Sequence, residues 1–143
     1  GSHMSTEQIQ KRTAAIQKRI AAIQKRIYAM TASGGAGAAG AGAGMSIEEI
    51  TKQIAAIQLR IVGDQVQIAY QTASGAGAGA GGMSTEEIQK QIAAIETQIC
   101  KIEAAIELKE AGITSDFYFE LINKAKTCEG VEALKEHILA AHT

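Results

Sequence analysis

Few side chains in this 143-residue chain could do chemistry. The thiols are Cys100 and Cys128, and the imidazoles are His3, His137 and His142. His3 falls within "GSHM", residues 1–4, which reads as the scar of a cleaved tag and leaves that histidine out of any site. His137 and His142 stand five apart near the end of the sequence, with no cluster of carboxylates or cysteines beside them. Neither a nucleophile–base pair nor a set of metal ligands can be assembled from them, so no enzyme, no metal site and no cofactor is expected. One acid stands out. In "LRIVGDQVQIAY", residues 59–70, Gly63 and Asp64 interrupt a run of regularly spaced isoleucines. What that carboxylate can do depends on the elements around it.

The sequence "MSTEQIQK" at 4–11 returns as "MSIEEITK" at 45–52 and "MSTEEIQK" at 83–90, and repeats this close look designed. In each, Ser followed by Glu or Gln marks a helix start. Apolar residues then recur at alternating steps of four and three. The first copy carries Ile9, Thr13, Ile16, Ile20, Ile23, Ile27 and Met30, and the second Ile50, Ile54, Ile57, Ile61, Asp64, Ile68 and Gln71. The third has Ile88, Ile92, Ile95, Ile99, Ile102 and Ile106. This is a heptad seam, and Ile at both seam positions favours three helices over two. The spacing predicts helices at about 5–31, 46–72 and 84–111, joined by Gly/Ala linkers 32–44 and 73–82 that hold most of the glycines. Residues 5–110 resemble de novo trimeric coiled-coil peptides of the "EIAAIKQ" kind, which implies a single-chain three-helix bundle over 5–111.

Charge patterning orients two of the helices. Arg12, Arg19 and Arg26 occupy one flank of the first seam, and a parallel third helix would meet them with Glu96, Glu103 and Glu110. The second helix is expected to be parallel as well, because the first linker could span about 43–47 Å, longer than a helix of about 40 Å. The up-down-up arrangement is the alternative. A net charge of −1 gives no nucleic-acid footprint, and no apolar run approaches the roughly 18 residues that cross a membrane. A monomer is expected.

The second helix carries a further stripe. Leu59, Val62, Val66 and Tyr70, at steps of three, four and four, lie opposite the seam, and a helix apolar on two faces needs two partners. Anchors at such spacing suit a helix laid in a groove. With Ala55 as first anchor, then Leu59, Val62 and Val66, with Arg60 after the second anchor and Gly63-Asp64 after the third, "LRIVGDQV" resembles the Bcl-2 homology-3 motif of apoptosis regulators. Tyr70 matches an aromatic found in several members. The choice of anchors looks most like the motif of the myeloid cell leukaemia survival protein. The resemblance implies binding to the hydrophobic groove of an anti-apoptotic Bcl-2-family protein, that one favoured, with Asp64 pairing to an arginine there. Asp64 also falls on a seam position, where parallel neighbours would be Ile23 and Ile102 and where an unpaired carboxylate is costly.

Beyond residue 110 the repeat gives way to "AGITSDFYFELINKAKTCEGVEALKEHILAAHT", with three of the five aromatics. Gly112 should stop one helix, a Ser or Thr should cap a short second, and Thr127 should cap a last one over about 128–141. "GITSDFYF", "INKAKT", "EGVEALK" and "ILAAH" resemble the bacterial albumin-binding GA module, a three-helix domain. Its first helix would be the end of bundle helix three, where Cys100, Ala104, Leu108 and Ala111 form a second stripe, so the module would occupy 100–143. The resemblance implies serum albumin as a partner, with contacts from Phe117, Tyr118, Leu121, Thr127 and Leu134, and so an extracellular setting of use. Members of that family generally lack cysteine. Cys100 and Cys128 would face each other across its first and third helices, and a disulfide between them is expected, with two small buried thiols as the alternative.

The whole is therefore expected to be all-α: a three-helix coiled-coil bundle whose third helix continues into a small three-helix module. Two functions remain open at this point. One is a binder of two partners. The other is a structural scaffold built to test rigid helical fusion.

Overall fold

The computed structural model describes residues 6–32, 45–74 and 84–142; the tag scar and the bodies of both linkers lie outside the described residues. Five helices follow in order: α1 (Thr6–Ala32), α2 (Ile47–Ser74), α3 (Thr85–Glu110), α4 (Asp116–Lys124) and α5 (Cys128–Ala141). The three long helices are those the heptads anticipate, to within two residues at each end. The starts of α2 and α3 are set by side chains. Ser46 Oγ accepts the Glu49 N–H at 3.1 Å, and Ser84 Oγ accepts the Glu87 N–H at the same distance while donating to the Glu87 carboxylate at 3.3 Å. Two otherwise orphaned backbone donors are thereby satisfied.

The core is the isoleucine seam. Ile16, Ile20 and Ile23 of α1, Ile54, Ile57 and Ile61 of α2, and Ile95, Ile99 and Ile102 of α3 are each 2% exposed or less. Each such side chain contributes about 1.5–3 kcal/mol on burial. On the α1–α3 flank the guanidinium groups of Arg12, Arg19 and Arg26 engage both carboxylate oxygens of Glu96, Glu103 and Glu110, as the charge pattern requires of parallel neighbours. The pairs lie at the rim, about a third exposed. Their main effect is to fix direction and register, since exposed pairs contribute only about 0.2–1 kcal/mol each.

The second helix runs antiparallel, against the all-parallel expectation. A cavity of about 240 Å³ is walled by Gln24, Ile27, Tyr28 and Thr31 from the end of α1 together with Thr51 and Ile54 from the start of α2. In a parallel pair, Thr51 would lie about 27 Å from Tyr28 at 1.5 Å of rise per residue. The bundle is up-down-up. The linker length that permits a parallel return does not require one; a chain turning straight back needs far less reach.

The reversal changes the neighbours of the seam's polar residues. From the level where Ile54 meets the end of α1, ten residues along α2 and ten back along α1 cover the same distance. Asp64 therefore lies toward the first half of α1, the half that holds Thr13, and away from Ile23 and Ile102. Both polar residues are 1% exposed. Thr13 satisfies its own hydroxyl by donating to Gln10 O at 2.9 Å.

α3 belongs to both units. Its first half is buried on one face only, but from Ile99 to Lys109 it is enclosed on nearly all sides, with Cys100, Ala104, Ala105 and Leu108 covered along with the seam. Ala111, expected in that stripe, is exposed instead, because it is the C-cap and the chain turns away there. Gly112 takes φ +80°, donates to Lys109 O at 3.0 Å, and Ile113 N–H reaches Leu108 O at 2.9 Å. This left-handed stop suits glycine and satisfies two end carbonyls. Ile113 and Leu108 are both buried at the turn.

Candidate binding surfaces

The outer face of α2 is the larger apolar surface. Leu59 is 75% exposed, Val66 60%, and Val62 and Tyr70 53% each. Ala55, Arg60 and Gly63 are exposed beside them. Seven of the eight residues assigned to a groove ligand thus lie outside the bundle. Asp64 does not: it is buried, and its Oδ2 has no hydrogen-bond partner. Burial holds its carboxyl above the usual carboxylate range, with Arg60, one turn earlier, pulling the other way. Gly63 has open space where a Cβ would stand, with nothing within 4 Å. Nothing in the bundle requires a glycine there, although it costs the helix about 1 kcal/mol relative to Ala.

A second surface is built by α4 and α5. Phe119, Ile122, Val131 and Ile138 turn inward and are 3% exposed or less. Phe117 is the outward aromatic, 63% exposed, and its ring meets Tyr118 edge-on at 5.8 Å. Tyr118 also meets the His142 ring edge-on at 5.3 Å. Tyr118, Leu121 and Leu134 are half-buried and Thr127 is exposed. Thr127 caps α5 by accepting the Gly130 N–H at 3.0 Å. The five residues expected to face albumin therefore divide into outward Phe117 and Thr127 and three others that partly serve the module's own packing.

Two ties fix α5 to α3. Cys100 and Cys128 form a disulfide with Cα atoms 5.6 Å apart, as expected. Lys135 bridges Glu107 of α3 at 2.9 Å and Glu132 of α5 at 2.8 Å. The family of this unit is decided by comparison. Residues 98–139 match the model of the GA-like domain family. They form a GA-like domain. Its start lies well inside α3, so the last turns of the bundle helix are the domain's first helix. Over 42 residues, 29% of the chain, the sequence is 69% identical to the peptostreptococcal albumin-binding protein of Finegoldia magna. The chain spans only 11% of that protein's length.

The GA-like domain holds one residue that sequence reasoning missed. Lys109 is 1% exposed, with its ammonium 4.7 Å from the centre of the Phe119 ring. Burial lowers its pKa from 10.5 to about 8, opposed by the negative charge of Asp116. A signal was available. The steps that place Ile99, Ile102 and Ile106 on the seam put Lys109 next. Among the described residues no group of His, Cys, Asp or Glu could hold a metal ion, and no helix is long and apolar enough to cross a membrane.

Proposed function

We propose that the protein is a binder with two faces: α2 is a Bcl-2 homology-3-like ligand for the groove of an anti-apoptotic Bcl-2-family protein, and α4–α5 bind serum albumin. The observation that carries the first is the pairing of the exposed Leu59–Val62–Val66–Tyr70 stripe with a glycine that the bundle does not need. A glycine facing solvent in mid-helix has a physical use when another backbone must approach it closely. Four apolar anchors at groove spacing, one preassembled helix and no ordering cost on docking are what such a ligand needs. The myeloid cell leukaemia member is the favoured target, on the likeness of the anchors to its own motif. The second face rests on the GA-like domain and on the albumin-binding protein that it matches. Phe117 is its central contact, and the disulfide and Lys135 hold the surface rigidly against α3.

Both faces are tested in one crossed experiment. Immobilised myeloid cell leukaemia survival protein and serum albumin are each presented with the parent, Leu59→Glu and Phe117→Ala. Leu59→Glu should lose the first partner and keep the second, and Phe117→Ala the reverse. Albumin capture by the parent without capture by the survival protein would leave the bundle as a structural scaffold carrying a GA-like domain.

A further inference from the structure

Asp64 stands apart from the other groove residues, inside the bundle while they are outside. It is at the edge of the core, however, and not at its centre. At 100° per residue, Ile57, Ile61 and Ile68 lie to one side of it on the α2 wheel and exposed Arg60 lies 40° to the other. Its Oδ2 is buried without a partner, a placement that disfavours an ionised carboxylate. Among the described residues, no charge on α1 or α3 acts on this carboxyl. The first half of α1 holds one buried hydroxyl, that of Thr13, which is spent on Gln10 O. Arg12 beside it is engaged with Glu96 of α3. On α2, Arg60 is the charge that acts on the carboxyl.

Building on the groove-ligand reading above, we propose that docking of α2 releases a proton from Asp64: the carboxyl rests in the bundle wall in the free protein and turns out past Arg60, ionised, in the complex. The O–H bond of the carboxylic acid breaks, the proton passes to water and buffer, and the carboxylate is left at the rim of the interface. A rotation about the Asp64 side chain suffices, because the residue already borders the exposed sector. Ile61 and Ile68 stay in place, and the bundle need not open. Binding then tightens as pH rises through the free protein's Asp64 titration, by at most about tenfold per pH unit for one proton. Above that window the coupling is spent and affinity is level.

The test is titration calorimetry of the whole protein against the recombinant survival protein, from about pH 4.5 to 7.5, in two buffers of different ionisation enthalpy. Parent and Asp64→Asn are compared, so that protons belonging to the partner cancel. The parent should release up to one proton more than the variant in the acid part of the range, and its Kd should rise there relative to the variant's. Equal proton release from both overturns the proposal while leaving groove binding intact. No binding by the parent at any pH removes the groove reading itself, and the proposal with it. If the variant alone fails to bind, carbon-detected NMR of the Asp64 carboxyl in the parent decides. A titration above the usual carboxylate range in the free protein, moved below it in the complex, supports the coupling; an unmoved titration overturns it.

Discussion

Replacing Lys109 by Met tests the energetics of the junction between bundle and domain. The ammonium is buried, and its pKa falls from 10.5 to about 8. At about 1.4 kcal/mol per pH unit, that difference means the folded state loses roughly 3 kcal/mol at neutral pH by holding this lysine charged. Methionine has a similar reach and no charge, so it recovers most of this. It also forfeits the contact with the Phe119 face, about 0.5–2 kcal/mol. The variant should therefore be about 1–3 kcal/mol more stable at pH 7. The pH dependence has a defined sign. Between about 8 and 10.5 the unfolded chain keeps the Lys109 proton and the folded chain has lost it. The unfolded state binds more protons there, so the parent gains stability as pH rises through this window. Below about 8 the penalty is present in full. Urea unfolding of parent and variant at pH 7, 8, 9 and 10 reads this directly, with the difference between them cancelling tyrosine titration. The expected difference is largest at pH 7 and shrinks toward pH 10. A difference that is constant across the series, or that grows with pH, would refute the account of Lys109 as a buried charge.

Other perturbations give outcomes of known direction. Cys128→Ser opens a 28-residue covalent loop and should lower the stability of the GA-like domain by about 3–4 kcal/mol in the chain-entropy account. Circular dichroism on thermal unfolding should show the α4–α5 signal melting earlier while the long helices persist. Gly63→Ala should stabilise the free protein by about 0.5–1 kcal/mol, since a methyl there meets nothing, and at the same time weaken groove binding at least tenfold. A variant that is more stable and binds as well as the parent would show that no partner backbone comes close to that position.

How much was legible depended on which interactions carry a period. The three long helices and their core could be read because every layer repeats the same isoleucine choice at the same step. The α1–α3 pairing was equally plain, since three arginines and three glutamates match at a constant offset of 84. The direction of α2 was not. Its flanks are mostly glutamine, which pairs as well in either sense; the Gln98–Gln53 hydrogen bond at 3.2 Å is an example. The first linker is long enough for both arrangements, whereas the second, at about 33–36 Å, falls short of a parallel return along a helix of about 40 Å. What could have tipped the balance is Thr13 with Asp64. Read parallel, these are two isolated polar defects in separate layers. Read antiparallel, Asp64 moves toward the half of α1 that holds Thr13, and the two defects draw together. Lys109 was overlooked for the opposite reason. A charged residue looks like an end to the seam, yet here the helix continues inside two cores at once and the position is buried by geometry.

The two buried ionisable side chains among the described residues thus differ in kind. Lys109 sits where bundle seam and GA-like domain meet, and its charge is enclosed by helices on both sides, with Phe119 beneath it and Asp116 nearby. It has no route outward short of unpacking the junction, so its cost is a stability term alone. Asp64 sits on a helix that faces a core on one side and water on the other, one turn from an exposed arginine. Its cost in the free protein is refundable by movement of a single side chain. A buried charge of the first kind is expected to vary with pH in unfolding experiments and to leave binding untouched. One of the second kind is expected to appear in both. Measuring proton release on groove binding for Lys109→Met as well as for Asp64→Asn separates them: only the aspartate variant should change the count.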